Sequence, residues 1–193
     1  MKPSLIIRSA VILLTVIIAI SNNCIAQYHY TKNFTIDDGL PSNSIQAIYK
    51  DTRGYFWIGT EAGLCRFDGI NFKIFTQKDG LPGNRIWSIT EDSDGNLWLA
   101  CYGNGISKFD GQTFSNYSSK DGLVNDNVRK IEYSAKHNGL LIGTEFGFSF
   151  LQDTVFTSFQ DTSITKRSLL QVTDFLDCDS TIYMLTYLDS RRF

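Results

Sequence analysis

Residues 54–69 read GYFWIGTEAGLCRFDG: a block of large apolar side chains, a Gly-Thr, a second apolar run and an Asp-Gly. Two readings compete for it. A glycine loop that cradles phosphate needs a helix N-terminus behind it, whereas an Asp-Gly between short apolar runs marks a hairpin turn, where positive φ is required. Repetition decides. FWIGTEAGL at 56–64 returns as LWLACYGNGI at 97–106 and as LLIGTEFGF at 140–148. RFDGINFKIF at 66–75 returns as KFDGQTFSNY at 108–117, and DGLPSNSI at 38–45 returns as DGLPGNRI at 79–86 and DGLVNDNV at 121–128. Gly39, Gly80 and Gly122 set a period of 41 to 42 residues, and such periodicity signals a repeat architecture.

Inside the first copy, apolar residues 45–49 lead to a turn at Asp51-Thr52-Arg53-Gly54. Residues 55–60, a bend ending at Gly63, residues 64–67, the Asp68-Gly69 turn and residues 72–76 follow. These are four short strands joined by tight turns, and no stretch after residue 26 keeps an apolar period of 3.6 for long enough to predict a helix. Four antiparallel strands in this length are one blade of a β-propeller. A blade cannot cover both its faces alone. Trp57 and Trp98 therefore read as wedges between sheets, and Gly59 and its counterpart Ala100 as a position that accepts only small side chains.

The expected fold is all-β, an incomplete ring of about three and a half four-stranded propeller blades. Residues 36–76, 77–118 and 119–159 form blades one to three, and 160–193 a partial fourth. In the fourth, Val172 aligns with Ile89 and Ile131, and Tyr183 with Trp57, Trp98 and Leu141. Phe34 precedes Gly39 by the same spacing as Phe75 precedes Gly80 and Tyr117 precedes Gly122, so residues 27–35 read as the outer strand of a missing blade.

The first 26 residues differ. Lys2 and Arg8, an apolar run and a small-residue stretch ending at Ala26 have the form of a secretory signal peptide, with an apolar run too short to span a bilayer. Asn22 and Asn23 precede Cys24, where a lipid-modified cysteine would follow a small residue. Removing Lys2 and Arg8 leaves 16 basic against 20 acidic residues. That balance does not favour nucleic acid, whose recognition needs a basic surface. Cys65, Cys101 and Cys178 are an odd set and read as free thiols buried in strands rather than a disulfide framework.

Other chemistry is sparse. DSDGN at 92–96 has the carboxylate spacing of a calcium loop, but its counterpart DTRGY at 51–55 replaces the second acid with Arg53, so a hairpin turn is the reading. His29 and His137 have no partner at metal-ligand spacing, and no Ser or Cys nucleophile motif accompanies them. Neither catalytic, metal nor cofactor residues are assigned, and no enzymatic activity is expected of these residues. The DGL-Pro/Val segments recur at one end of every blade and read as connections between blades. Ligand-binding residues are not identified.

The pattern in SNSIQAIYKDTRGYFWIGTEAGLCRFDG (42–69) and GNRIWSITEDSDGNLWLACYGNGISKFDG (83–111) resembles the two-component regulator propeller repeat. The resemblance runs from about Phe34 to Phe159, weakening after Val128. It implies a periplasmic sensor propeller of the type carried by histidine kinases, often hybrid ones, many of which sense oligosaccharides. Such sensors hold more repeats, a membrane helix and a kinase. A ring of about seven blades needs on the order of 290 residues, so the chain reads as the N-terminal part of a longer sensor. The expected partners are a small-molecule or oligosaccharide ligand, and a second copy or the remainder of the sensor covering the open blade faces. The alternatives are a structural or protein-interaction propeller of the cell envelope or secretion machinery, and a propeller lyase or hydrolase.

Overall fold

The computed structural model describes residues 31–160, 170–178 and 181–188; the signal peptide expected at 1–26 and residues 27–30 of the expected outer strand lie outside the described residues. Two units divide the chain, Met1–Asn33 and Phe34–Phe193. Of the first, only the irregular residues 31–33 are described. The second holds every described strand.

Its strands follow the repeat. The first blade is β1 (Ile45–Lys50), β2 (Phe56–Thr60), β3 (Gly63–Phe67) and β4 (Phe72–Phe75). The second is β5 (Ile86–Glu91), β6 (Leu97–Cys101), β7 (Ile106–Phe109) and β8 (Phe114–Tyr117). The third is β9 (Val128–Ser134), β10 (Gly139–Thr144), β11 (Gly147–Gln152) and β12 (Val155–Phe159). Each is an antiparallel meander in chain order, and β13 (Leu170–Cys178) with β14 (Thr181–Leu188) forms a further antiparallel pair. The expected all-β architecture of four-stranded blades is what the chain builds.

The first strands of successive blades, β1, β5, β9 and β13, lie side by side. Ser88 Oγ donates to the Ile131 carbonyl and accepts from the Ile131 N–H, both at 3.2 Å, and the Tyr133 N–H donates to Thr90 Oγ1. The blade faces meet as wedges. Trp57 stacks on Phe75 of its own blade and meets Phe109 of the next edge-on, with ring centroids 5.8 and 5.7 Å apart. Trp98 joins Leu140 and Leu151 of the third blade in the next cluster. Each indole also donates: Trp57 Nε1 to Asp51 Oδ2 and Trp98 Nε1 to Asp92 Oδ2, both at 2.8 Å. A buried indole N–H needs such an acceptor, so the first aspartate of the β1–β2 and β5–β6 turns is a structural lock.

The small residue after each wedge has a steric cause. A Cβ on Gly59 would lie 2.7 Å from the Ile86 carbonyl oxygen of the next blade, and one on Gly143 would lie 2.8 Å from Val172 Cγ1. Ala100, at the same position in β6, is fully buried.

Phe34 packs on Phe67 and Phe72 at 5.1 and 5.3 Å, as Phe75 packs on Phe109 and Phe114 at 5.4 and 5.8 Å. It therefore holds toward the first blade the place that Phe75 holds toward the second. One alignment is corrected. Val172 pairs with Thr186 as Ile86 pairs with Cys101, and it meets Gly143 as Ile86 meets Gly59. It stands where Ile86 and Val128 stand, and Phe175 takes the place of Ile89 and Ile131. The step from Val128 to Val172 is 44 residues, longer than the 41 and 42 of the earlier steps, which hides this from the sequence. Tyr183 does fall in line with Trp57 and Trp98, opposite the third residue after the register shift in the first strand.

Burial along the array follows from which faces are covered. Ile48, Ile89 and Ile131 are equivalent, yet they are 68%, 8% and 1% exposed, because only the latter two face a preceding blade among the described residues. Burying such a side chain is worth ~1.5–3 kcal/mol.

Candidate functional site

Residues that repeat are consumed by the fold. Thr35, Thr76 and Ser118 each cap a one-turn 3-10 segment, with Asp38, Asp79 and Asp121 closing a reciprocal capping box. Gly39, Gly80 and Gly122 follow at φ 115°, 112° and 111°, in the left-handed region that favours glycine. Asn43, Asn84 and Asp126 accept from the first N–H of each turn, and Leu40, Leu81 and Leu123 are buried. The DGL segments are inter-blade connections whose polar side chains are already engaged.

Residues that do not repeat collect at one place. In each blade the first strand carries a β-bulge, and the extra residue is Gln46, Trp87, Arg129 or Thr173 in turn. Bulges re-aim side chains and are common beside functional sites. A recurring backbone bond sets the β2–β3 turn and its equivalents beside this bulge: Glu61 N–H to the Ser44 carbonyl, Tyr102 N–H to Arg85, and Glu145 N–H to Asn127. The backbone at these positions is the same in three blades, the bulge residue and the carbonyl-bearing residue differ in all three, and the turn residue is glutamate in the first and third blades and Tyr102 in the second.

These side chains form one cluster across the blades. Trp87 and Tyr102 stack with centroids 4.2 Å apart and planes 13° from parallel. The Arg85 guanidinium lies 4.8 Å from the Tyr102 centroid, and that of Arg129 lies 4.8 Å from the Trp87 centroid. Arg85 reaches back to Glu61 of the first blade at 2.6 Å, where Gln46 also donates at 3.0 Å. In the third blade, Glu145 accepts from Tyr102 Oη at 2.7 Å, Asn127 Nδ2 at 2.9 Å and Arg129 at 2.5 Å.

The electrostatics match. Burial alone would raise the Glu145 carboxyl, but donation from Tyr102, Arg129 and Asn127, with the charge of Arg129, holds it below its usual range. Burial, then the hydrogen bond to Glu145, pushes the Tyr102 phenol up. Both stay in the states that bind each other at neutral pH. The Arg85–Glu61 pair is half exposed and contributes ~0–1 kcal/mol, so it rearranges easily. The cluster is unbalanced in one respect. Trp87 Nε1 and Arg129 Nε are buried without hydrogen-bond partners, and each such donor costs ~1–3 kcal/mol. Sequence reading passes over Trp87, the one tryptophan off the repeat. The signal available was its replacement by Gln46 and Arg129 at equivalent positions.

Other groupings carry less. Asp92 accepts from Trp98, Asn96 and the Asp94 N–H, which accounts for the DSDGN turn without a cation, and no group of metal-binding side chains occurs among the described residues. The cysteines Cys65, Cys101 and Cys178 are free, the first two buried and the third half-buried. A cavity of about 130 Å³ beside Asp92, Lys108 and Tyr133 has a smaller counterpart of about 30 Å³ beside Asp51, Arg66 and Trp57. It is thus a crevice of the repeat itself.

The fold does bring Ser134, His137 and Asp177 together, which the sequence does not reveal. Ser134 Oγ lies 3.0 Å from His137 Nδ1 and donates to Asp177 Oδ2, which is 3.4 Å from that same Nδ1. A nucleophilic triad uses opposite ring nitrogens for serine and acid. Here one nitrogen faces both, the serine proton goes to the acid and Ser134 is buried, so the group ties the third blade to β13.

Comparison with known proteins agrees with the fold. Residues 39–62 and 80–103 match the two-component regulator propeller. A 43-residue stretch is 49% identical to Histidine kinase P4 of Formosa agariphila, covering 22% of this chain and 3% of that protein. The extracellular domain of a hybrid two-component system from B. thetaiotaomicron superposes with a TM-score of 0.70 at 23% identity, over 82% of this chain and 23% of that one. Virginiamycin B lyase from Staphylococcus aureus superposes with a TM-score of 0.57 at 18% identity, over 76% of this chain and 50% of that one. The chain spans half or less of each of these proteins, and the structural likenesses speak to fold alone. With blades, wedges and turns in register, the chain folds as propeller blades in which residues 39–62 and 80–103 match the two-component regulator propeller repeat.

Proposed function

We propose that this chain is ligand-sensing propeller of an exported two-component sensor, facing the periplasm, and that the non-repeating cluster around Trp87 and Tyr102 is where ligand is read. The observation carrying the proposal is that cluster: identical backbone in three blades presents Gln46, Trp87 and Arg129 beside Glu61, Tyr102 and Glu145. The cluster spans three blades, so a ligand bound there acts on the contacts between them. The similarity to hybrid two-component extracellular domains and the signal-peptide form of the first 26 residues support the same reading. Oligosaccharides are the proposed ligand class, and a histidine kinase the output.

The test uses the encoded sensor carrying this chain. The reading frame beyond Phe193 is expected to continue into further repeats, a membrane helix and a kinase. The purified sensor is expected to bind a member of a glycan panel by calorimetry, with a change in autophosphorylation. A stop codon beside an unrelated gene, or no glycan bound by the complete sensor, would overturn the proposal. A second reading, an interaction propeller of the cell envelope, draws on the exposed apolar edge at Ile48 and Phe56. It expects a stable protein partner in pull-down and no shift of melting temperature with sugars.

A further inference from the structure

The two crevices between blades share a frame and differ in what fills it. Both lie at the far end of the first strands from the Trp87–Tyr102 cluster, where the turns after β1 and β5 meet the turns of the next blade. Their linings correspond residue by residue. Asp51, Arg53, Trp57 and Arg66 of the first stand where Asp92, Asp94, Trp98 and Lys108 stand in the second. Gly95 and Gly111 of the first are matched by Asn138 and Asp153, at φ 46° and 56°. Asparagine and aspartate tolerate that left-handed backbone better than other L-residues, and here they place an amide and a carboxylate where the first crevice has no side chain.

Arg53 accounts for the difference in size. Its Nη1 lies 3.2 Å from where a Cβ on Gly111 would be, and its Nη2 3.8 Å from one on Gly95, so the guanidinium covers both turns of the second blade. About 30 Å³ remains in that crevice, against about 130 Å³ in the second, where the equivalent residue is the short Asp94. The charge inverts as well. One carboxylate and two guanidinium groups line the first crevice, whereas three carboxylates and one ammonium line the second. Asp92 is engaged by Trp98 and Asn96, and Lys108 lies over the Trp98 ring at 5.4 Å. The Asp94 and Asp153 carboxylates have no hydrogen bond or ion pair among the described residues. A Ca²⁺ ion needs roughly six to eight oxygens drawn together, and no group fit to hold a metal occurs among the described residues. Separated carboxylates with room between them instead suit a planar guanidinium, whose fork carries donors in several directions.

We infer that the second crevice is a guanidinium subsite, in which Asp94 and Asp153 receive from a ligand the group that Arg53 supplies from the chain in the first. The frame accepts such a group beside the cation on the wedge ring: Arg66, the counterpart of Lys108, lies 6.0 Å from the Trp57 centroid in the crevice that Arg53 also lines. The subsite stands whether or not the chain senses a glycan.

The full chain is titrated with L-arginine, N-acetyl-L-arginine methylamide and L-citrulline, following calorimetric heat and the fluorescence of tryptophan, since Trp98 is part of the lining. Citrulline keeps the shape of arginine without its charge. At least one guanidinium probe is expected to bind about tenfold or more tighter than citrulline, and Asp153→Asn, which suits the left-handed backbone, to lose about tenfold of that. Asp94→Arg installs the plug of the first crevice and is expected to abolish binding with an unchanged melting curve; Asp94→Asn, with about a tenfold loss, replaces it if the melting curve moves. Equal affinity of the two guanidinium probes assigns the group to an arginine side chain of a polypeptide. Weaker binding of the blocked form assigns it to a free zwitterion whose carboxylate Lys108 receives. Citrulline binding as tightly as arginine, binding unchanged in the Asp94 and Asp153 variants alike, or no binding by either guanidinium probe would each overturn the assignment.

Discussion

Gly59→Ala adds one methyl group where two blades touch. The residue lies in β2 and its φ is not in the left-handed region, so the backbone suits alanine, which alone should stabilise a strand by ~0.5–1 kcal/mol. The new Cβ, however, falls 2.7 Å from the Ile86 carbonyl oxygen and 3.0 Å from Ile86 Cγ2. The first of these is backbone of β5, fixed by its pairing with β6 and unable to rotate away. Relief requires the two blades to separate by several tenths of an ångström, and overpacking of this kind costs ~1–3 kcal/mol. Net destabilisation is therefore ~0.5–2 kcal/mol, a fall of a few degrees in melting temperature for a domain of this size. Urea unfolding read by tryptophan fluorescence measures it, because Trp57 sits between those two blades. The reciprocal change, Ala100→Gly, opens a void at the next junction and should also destabilise, by ~1 kcal/mol. If Gly59→Ala melts at or above the parent temperature, the close approach of β2 and β5 is wrong, and with it the wedge account of blade packing.

Ile48→Asp should change stability by less than ~0.5 kcal/mol, while Ile131→Asp, at the equivalent covered position, should cost more than ~3 kcal/mol; equal losses would mean that another surface covers the first blade. Native Cys65 and Cys101 should react slowly with a disulfide reagent near pH 8 and at full rate in denaturant, since burial pushes the Cys65 thiol up to about 11 and that of Cys101 higher still; rapid native labelling of either would contradict their burial. For Asp92, burial raises the carboxyl, but donors from Trp98 and Asn96 outweigh it and leave the group below its usual range. Its contribution to stability is thus present above about pH 4 and is lost as pH falls through the lower folded value. Urea midpoints at pH 6 and pH 3 should therefore differ less in Asp92→Asn than in the parent, and an unchanged difference would remove this role.

Much of the fold was legible because repetition multiplies weak local signals. Asp68-Gly69 alone says little, but Asp110-Gly111 in the same place fixes a turn, and the strands between follow. The small residue at 59 and 100 was legible too, though not its neighbour, since Ile86 belongs to the next blade. The error at Val172 arose because the step from Val128 to Val172 is 44 residues, against 41 and 42 for the earlier steps, so carrying the period forward left the alignment three positions adrift. Trp87 was missed for a different reason: a bulged residue has no partner across the ladder, and its role depends on neighbours 15 and 42 residues ahead, Tyr102 and Arg129.

By itself the sequence determined the blade. Turn residues, strand alternation and the wedge tryptophans act within one repeat or between consecutive ones, and period-two patterning states which face is apolar. Only the tertiary structure decided the rest. It showed that Asp51 and Asp92 are spent on indole N–H groups, that Ser134, His137 and Asp177 form a tether rather than a relay, and that the variable bulge residues converge. The physical reason is that a propeller aligns equivalent points of its blades. Positions some 40 residues apart become neighbours, so residues that look like noise within a repeat become one surface across several.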